Sequence, residues 1–252
     1  MPPTIAQIHR YPVKGLSPEA LARTTLATGE GLPGDRRFAL HVGNAPFDPA
    51  APEWLPKTSF LMLMRDERLA KLQTRFDDSS GVLTIQRDGK TVAHGSLFES
   101  HGRLVIEQFF SAFMGSELRR TPRLVEAPGH MFSDVAAKMV SIIGLASVKD
   151  IERVQRSRVD PLRFRANIQL EGTPPWAEFD WVGRTLSVGG ATLRVVKRIK
   201  RCAATNVDPV TAARDMNIPR SLQDAFGHAD CGVYAEVVSG GAIGVGDPVS
   251  VG

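Results

Sequence analysis

Two turn signals constrain the fold of this chain more than any other feature of its sequence. Each is a pair of residues that tolerates positive φ angles, and each is flanked by short segments in which apolar and polar side chains alternate. They are Asp88-Gly89 between residues 82–86 and 91–93, and Gly189-Gly190 between residues 185–188 and 191–195. The sequence therefore predicts a β-hairpin in each half of the chain.

Other segments extend the β pattern. Further strands are predicted at residues 4–11, 37–42 and 233–237, and after Asp247-Pro248. Residues 44–56 contain several prolines and no periodicity, which predicts a loop. Residues 60–72 fit both a helix and a buried strand, so the sequence leaves their structure open.

Helical spacing is confined to two segments. One predicted helix spans residues 103–114 and ends at Gly115, and its apolar stripe consists of Ile106, Phe109, Phe110 and Phe113. We expect this stripe to pack at the join between two lobes. Ser147 and Asp150 form a capping-box pattern for a second helix over residues 148–155. The elements together predict a predominantly β protein with peripheral helices, an α+β fold with barrel-like closure.

Charge and hydropathy exclude several classes of protein. No apolar run reaches the ~18 residues of a membrane span, and the N-terminus reaches Arg10 and Lys14 without the apolar core of a secretory signal. A cytoplasmic location is therefore expected. The net charge is +4, but the one dense basic cluster lacks flanking aromatic residues, so no nucleic-acid partner is expected. This basic cluster consists of Lys197, Arg198, Lys200 and Arg201. It suits a small anionic ligand or an ordinary solvated strand end.

The chain contains only two cysteines, Cys202 and Cys231. This number excludes a disulfide scaffold, a zinc ribbon and an iron–sulfur cluster with four thiolate ligands. Cys202 follows a predicted strand over residues 193–199 and is flanked by cations, which favour the reactive, metal-binding thiolate. Taken alone, a single cysteine is more often an inert buried side chain.

Several motifs resemble those of the MOSC family, named for the C-terminal domain of molybdenum cofactor sulfurase. The pattern with the strongest resemblance contains Arg201-Cys202, Thr205 and Val207-Asp208-Pro209. Segments in matching order are Tyr11-Pro12-Val13-Lys14, Gly34-Asp35-Arg36, Phe132-Ser133-Asp134, Ala146-Ser147-Val148 and Arg163-Phe164-Arg165-Ala166-Asn167. The chain departs from the family at Gly15, where a serine is usual, and the stretch between Asp134 and Ser147 does not align clearly.

The resemblance implies a fold and a set of site residues. It implies an N-terminal β-barrel-like domain over residues 1–115 and a MOSC-type β-barrel over residues 116–252. The implied cofactor is molybdopterin carrying molybdenum, and not pyridoxal phosphate. Cys202 would be the metal ligand, and Asp208 would relay protons near the metal or serve only as a turn residue. The implied cofactor contacts are Lys14, Arg36, Ser147, Arg163, Arg165, Asn167 and Thr205.

The resemblance also implies a molybdenum-dependent oxidoreductase that reduces N-oxygenated small molecules such as hydroxylamines or amidoximes. One alternative is a sulfur carrier with a persulfide on Cys202, and another is a cofactor-binding module without turnover. A reductase of this kind needs a separate electron-donor protein, because the chain lacks the cysteines for a four-thiolate cluster and any dinucleotide-binding fingerprint. His228 and Cys231 supply too few ligands for a second metal site.

Overall fold

The computed structural model describes residues 2–252 of the chain. The strands of the first half are β1 (Thr4–Arg10), β2 (Glu19–Leu21), β3 (Arg23–Leu26), β4 (Phe38–His41), β5 (Gln73–Phe76), β6 (Val82–Arg87), β7 (Lys90–Ser96) and β8 (Arg123–Glu126). Those of the second half are β9 (Val140–Gly144), β10 (Ile168–Glu171), β11 (Thr185–Val188), β12 (Ala191–Lys200), β13 (Asp230–Ser239), β14 (Gly241–Gly244) and β15 (Val249–Val251). The α-helices are α1 (Ser100–Met114), α2 (Leu145–Gln155) and α3 (Ile218–Phe226). The prediction of a predominantly β protein with few helices is confirmed.

An eight-stranded sheet forms the larger part of the molecule, in the order β15-β11-β12-β13-β9-β10-β1-β2. Its neighbouring strands are antiparallel except for β9 and β10, which run parallel and are connected through α2. A parallel pair needs such a crossover connection, because its strands cannot be joined by a tight hairpin. Apolar side chains from the strands of this sheet form one continuous core.

The first half of the chain has a second core. Strands β5, β6 and β7 form a three-stranded sheet, β4 pairs with β8, and α1 packs against β7 and β8. Ile106 and Phe110 of α1 are fully buried there among apolar residues of the first half. The predicted helix is confirmed, but the expectation that its stripe lies at the join between two lobes is wrong. The stripe instead closes the core of the first half.

Strands from the start of the chain connect the two halves. β1 pairs with β10, and β3 pairs with β14. Strands β1, β2 and β3 therefore belong to sheets that they share with the second half, although the sequence motifs place them in an N-terminal domain. The domain boundary between residues 115 and 116 remains a prediction. Strands from both sides of this boundary pair with each other, because β1 pairs with β10 and β3 pairs with β14.

The structure settles the remaining local predictions. Both hairpins are present, and Asp88 and Gly89 have φ angles of 52° and 73° as their turn requires. Residues 60–72 are neither a helix nor a long strand, since they contain only a short 3-10 segment, Glu67–Lys71. The predicted start of the second helix is wrong, because α2 begins at Leu145 and Gly144 is its N-cap residue. Among residues 2–252, no helix has the length and apolar character needed to cross a membrane.

Candidate functional site

A cavity of about 430 Å³ opens between the two cores. Its size falls within the range of small-molecule and cofactor sites. Its walls come from the segments after β1, before β4, before β5, between β8 and β9, between β9 and β10 and after β12, and from β12 and β13. The predicted site residues that line it are Lys14, Arg36, Arg163, Arg165, Asn167, Cys202 and Thr205. Segments far apart in the sequence therefore meet at one site.

The cavity is strongly cationic. Among the described residues, nine lysine and arginine side chains line it, against a single carboxylate, that of Asp134. The cations are Lys14, Arg36, Lys57, Arg163, Arg165, Lys197, Arg198, Lys200 and Arg201. A concave surface lined by one sign of charge concentrates ligands of the opposite sign, so this cavity favours an anion.

Lys14 lies at the inner wall of the cavity. Its ammonium donates to the carbonyl oxygen of Phe132 at 3.0 Å and to Oδ1 of Asp134 at 2.5 Å. Burial lowers the pKa of Lys14, and Asp134 opposes that effect. The next residue, Gly15, has a φ angle of 84°, and a Cβ there would lie 2.9 Å from the carbonyl oxygen of Leu61. The backbone therefore requires glycine where the family usually has serine.

Arg36 and Arg165 lie on the ring of Tyr11. Their guanidinium carbons are 4.8 Å and 4.2 Å from its centre, within the range of a cation–π contact. Arg36 is ion-paired to Asp35 and donates to the carbonyl oxygen of Arg165 at 3.0 Å. Arg165 donates to the carbonyl oxygen of Leu16 at 2.7 Å. Burial lowers the pKa of Arg165 to about 10, so it remains a cation at neutral pH.

Cys202 follows β12 and begins a tight turn. Its carbonyl oxygen accepts hydrogen bonds from the backbone N–H of Thr205 at 3.0 Å and from its hydroxyl at 2.9 Å. The Cys202 side chain is half-buried and lines the cavity. Cys231 is fully buried in another core cluster, where burial raises the pKa of its thiol. Of the two cysteines, only Cys202 can therefore meet a ligand of the cavity.

Arg163 braces the segment that follows Cys202. Its side chain is only 2% exposed, and it forms ion pairs with Asp208 and Asp215, each at 2.9 Å. It also donates to the carbonyl oxygen of Asn206 at 3.2 Å. Two carboxylates and a carbonyl already hold this guanidinium. The Arg163 side chain therefore fixes the turn after Cys202, and its contact with a cofactor stays a prediction.

Asp208 is a structural residue of the same segment. One of its oxygens accepts from the backbone N–H groups of Val210 and Thr211 at 3.0 Å and 2.7 Å, and the other pairs with Arg163. Burial alone would raise the pKa of Asp208, but these hydrogen bonds outweigh it and hold the pKa below its ordinary value. Asp208 does not line the cavity. The geometry supports the turn role that the sequence left open and gives no support to a proton relay.

A second arginine ties the cysteine turn to the first half of the chain. The guanidinium of Arg214 donates to the carbonyl oxygens of Ala203 at 3.1 Å, Leu63 at 3.1 Å and Met64 at 2.9 Å. It also pairs with Glu67 at 2.9 Å. Leu63 and Met64 line the cavity. Arg214 therefore links the turn after Cys202 to the opposite wall.

The three neutral candidates have different surroundings. Ser147 is fully buried away from the cavity, where its hydroxyl donates to Glu178 at 2.9 Å and accepts from the backbone N–H of Trp176 at 2.8 Å. Because both hydrogen bonds are to groups of the protein that do not line the cavity, Ser147 does not contact the cavity. It is also not the N-cap residue of α2, which is Gly144. Asn167 lines the cavity, but its amide oxygen accepts from the backbone N–H and hydroxyl of Ser141 at 3.0 Å and 2.7 Å. Thr205 lines the cavity next to Cys202.

Sequence reasoning missed Lys57 and Tyr234. Burial alone would lower the pKa of Lys57, but interactions with Cys202 and Asp134 raise it. Lys57 and Cys202 line the same cavity. Lys57 follows the proline-rich loop, where no periodicity or motif marked it. Burial raises the pKa of Tyr234, so its phenol keeps its proton and can donate into the cavity. The sequence pattern placed Tyr234 only within a predicted strand over residues 233–237.

The fold and the cavity together define a β-rich protein with a cationic ligand site that contains one accessible thiol. The chain matches the model of the MOSC domain over residues 127–250 and that of the MOSC N-terminal beta barrel domain over residues 2–117. It belongs to the MOSC family, which confirms the resemblance found in the sequence.

Curated relatives have two kinds of name. Mitochondrial amidoxime-reducing component 1 of Mus musculus is 29% identical over 130 residues, which are 47% of this chain and 37% of the mouse protein. Molybdenum cofactor sulfurase of Caenorhabditis elegans is 24% identical over 231 residues, which are 88% of this chain and 31% of that protein. The chain thus spans about a third of the length of these relatives. The solved YUAD protein from Bacillus subtilis superposes with a TM-score of 0.48 at 12% identity, covering 100% of this chain and 96% of that one.

Proposed function

We propose that this chain binds the molybdenum cofactor in the cavity, with Cys202 as the sulfur ligand of the metal, and reduces N-oxygenated small molecules. The observation that carries the proposal is that Cys202 shares one cavity with Lys14, Arg36 and Arg165. The family is associated with this cofactor through its relatives, and the names of some relatives state that they reduce amidoximes. Hydroxylamines and amidoximes are therefore the substrates that we propose.

The residues present fit the chemistry of this cofactor. Its phosphate needs cations, and arginine suits phosphate because the guanidinium can donate two parallel hydrogen bonds. Its metal already carries sulfur ligands, and a thiolate is a soft donor of the same kind. No group of three or more histidine, cysteine, aspartate or glutamate side chains within residues 2–252 is arranged to hold a metal by itself. The protein would therefore supply one ligand to the metal, the thiolate of Cys202, and the cofactor itself would supply the other sulfur ligands.

The protein's part in the reaction is to bind and orient. Arg36 and Arg165 would hold the phosphate, and Lys14 would add a point charge beside them. Cys202 would hold the metal, and Arg163 and Arg214 fix the turn that carries it. When bound, the cofactor supplies the two-electron chemistry. Tyr234 keeps its proton and would donate a hydrogen bond to a ligand in the cavity.

We also propose a separate electron-donor protein, because the sequence offers neither a four-thiolate cluster nor a dinucleotide fingerprint. The basic cluster at the end of β12 suits an acidic partner, since electron-transfer contacts are small and steered by charge. Purified protein is expected to reduce a hydroxylamine with an artificial donor and to show no turnover with NADH alone. Brisk NADH turnover by the flavin-free chain would contradict this part of the proposal.

Metal analysis of purified protein, combined with pterin fluorescence after oxidation, tests the main proposal. We expect stoichiometric molybdenum in the parent protein and loss of metal-centred activity in Cys202→Ala, with the protein still folded. Cys231→Ala is the matched control and should keep its molybdenum, because Cys231 lies outside the cavity. The ligand assignment is wrong if Cys202→Ala retains metal and activity while Cys231→Ala loses them.

A second candidate function is sulfur transfer through a persulfide on Cys202. It is favoured by the extent of the match to the nematode sulfurase, which covers 88% of this chain against 47% for the mouse amidoxime-reducing component. Metal-free protein that releases sulfur to cyanide, with the release abolished in Cys202→Ala, would support this function over the first. Stoichiometric molybdenum without turnover of any N-oxygenated compound would instead indicate a cofactor-binding module.

A further inference from the structure

Carboxylates pair with several inner cations of the cavity, but Lys197 and Lys200, which lie close to Cys202 in the chain, have no ion-pair partner within residues 2–252. We propose that the substrate carries a negatively charged group, such as a carboxylate or phosphate, and that Lys57, Lys197 and Lys200 attract it to Cys202. This inference rests on the proposed function and narrows the class of its substrate.

The inner cations of the cavity are bound to groups of the protein itself. Lys14 is held by Phe132 and Asp134, Arg36 by Asp35, Arg163 by Asp208 and Asp215, Arg165 by Leu16, and Arg201 by Cys231 and Phe164. These bonds fix the direction of each side chain. The inner cations thus form a rigid wall, which is suited to a ligand that stays bound.

Lys57 is held more loosely. Its nearest carboxylate oxygen, Oδ2 of Asp134, is 3.9 Å away, whereas Lys14 holds the other oxygen of that carboxylate at 2.5 Å. The Lys57 side chain is 30% exposed, so it can reorient toward an entering ligand. Lys57 reaches the cavity from the first half of the chain, and Cys202 reaches it from the second half.

Lys197 and Lys200 approach from the other wall. The pairing of β12 with β13 shifts register between Val195 and Lys197 and again between Arg198 and Lys200. Such irregularities break the strict alternation of a strand, which explains how consecutive positions of β12 can all line the cavity. Lys197 and Lys200 are exposed, and neither has an ion-pair partner within residues 2–252. Their charges are therefore available to a ligand.

Cations of this kind act on the rate at which an anion arrives. A cleft lined by one sign of charge can raise the association rate of an opposite charge by about 10-fold or more, and salt screens the effect. An uncharged substrate gains nothing from them. The charge on the substrate should therefore decide how efficiently it reaches Cys202.

The first experiment needs neither the cofactor nor turnover. Metal-free protein is alkylated at Cys202 with iodoacetate, which is anionic, and with iodoacetamide, which is neutral, and the two rate constants are measured by mass spectrometry. Because both reagents attack the same thiolate, their ratio cancels any change in the reactivity of the thiol. We expect the rate constant for iodoacetate divided by that for iodoacetamide to be about threefold to tenfold lower in the triple variant Lys57→Met, Lys197→Met, Lys200→Met than in the parent protein. In the parent protein, the same ratio should fall as salt is raised. Lys149→Met is the control for an exposed lysine of α2 outside the cavity.

The second experiment uses protein loaded with cofactor. It compares kcat/KM for a benzamidoxime that carries a para-carboxylate with kcat/KM for its uncharged methyl ester, with the same artificial donor. We expect the parent protein to prefer the carboxylate and the triple variant to lose that preference while keeping its molybdenum content. Equal kcat/KM values in the parent, or an alkylation ratio unchanged in the triple variant, would overturn the inference. If the protein neither binds molybdenum nor turns over either compound, the proposed function fails. The alkylation ratio alone then decides whether Lys57, Lys197 and Lys200 attract anions to Cys202.

Discussion

Arg163 and Arg165 are two residues apart, have the same side chain and border the same cavity, yet they do different work. The guanidinium of Arg163 forms ion pairs with two carboxylates of the protein and holds the turn after Cys202 in place. Arg165 lies on the ring of Tyr11, beside Arg36, and no carboxylate of residues 2–252 forms an ion pair with it. One motif thus contains a residue that braces the site and a residue that we propose binds the ligand.

The local backbone explains the divergence. Residues Pro161–Phe164 form a 3-10 turn, and the Phe164 ring is buried in the core formed by α2 and α3. Arg165 then adopts a positive φ angle of 52°, which reverses the direction of the chain. The buried phenylalanine thus fixes the backbone between the two arginines. The Arg163 side chain contacts Asp208 and Asp215, and the Arg165 side chain contacts the ring of Tyr11.

The largest expected effect that tests this comparison is on stability. Arg163→Ala leaves Asp208 and Asp215 without their cation, and removing one partner of a buried ion pair costs about 3 kcal/mol or more. We expect a loss near the lower end, because both carboxylates keep some exposure. Urea denaturation at neutral pH measures it.

The control for that substitution is Arg153→Ala. Arg153 pairs with Asp150 on the surface with 69% of its side chain exposed, and such pairs contribute about 1 kcal/mol or less.

Hydrogen exchange gives a second measurement of the same brace, and it should speed up at residues 203–208 in Arg163→Ala. If the two variants lose the same small amount of stability, Arg163 is not the brace of the cysteine turn.

The second prediction concerns the other arginine. Arg165→Ala should weaken retention of the cofactor, because a hydrogen bond to a charged group contributes about 1.5–3 kcal/mol, roughly a ten- to hundredfold change in affinity. Arg36→Ala should act in the same direction. Molybdenum content after dialysis gives the measurement, and denaturation of Arg165→Ala should show a smaller loss of stability than that of Arg163→Ala, because no ion pair joins Arg165 to a carboxylate among residues 2–252. Full occupancy in both variants would remove these arginines from the site and end the contrast with Arg163.

The third prediction is a pH dependence. Because hydrogen bonds hold the pKa of Asp208 below its ordinary value in the folded protein, its contribution is complete above that ordinary value and is lost as the pH falls through the folded value. Asp208→Asn should cost about 1.5 kcal/mol at neutral pH and should flatten the loss of stability below about pH 4. Denaturation midpoints between neutral and acid pH measure both effects. A variant of unchanged stability that loses all turnover would instead restore the proton-relay role.

Local chemistry explains which features could be predicted from the sequence. The hairpin at Asp88-Gly89 depends on residues that are neighbours in the chain, and so does the end of α1 at Gly115. The role that we propose for Cys202 rests on its place after a strand, its adjacent cations and a family resemblance. Lys14, Arg36 and Arg165 were predicted to contact one cofactor. Pairing of β1 with β10 brings Lys14 and Arg165 to one cavity, and the backbone hydrogen bond from Arg36 to Tyr11 brings Arg36 there.

The failures share one physical cause. A motif names a residue but does not fix the direction of its side chain, which depends on partners that are distant in the chain. Asp208, the partner of Arg163, lies 45 positions away, and Glu178, the partner of Ser147, lies 31 positions away. Lys57 had no sequence signal because it follows a loop, and only the folded chain brings it near Cys202.

The smallest expected effect comes from Arg214, which resembles Arg163 in holding the cysteine turn but lies at the surface. Its side chain is 32% exposed, and its carboxylate partner Glu67 is 41% exposed. Exposed pairs contribute little, so Arg214→Ala should cost only about 0.5–1 kcal/mol in urea denaturation. The bonds to Leu63 and Met64 join the turn to the opposite wall of the cavity, and their loss should instead appear as faster hydrogen exchange in both segments. Arg214→Lys keeps the charge but cannot reach several carbonyls at once, so it should show the same faster exchange. Exchange rates unchanged in both variants would leave Arg163 as the brace that alone fixes the position of Cys202.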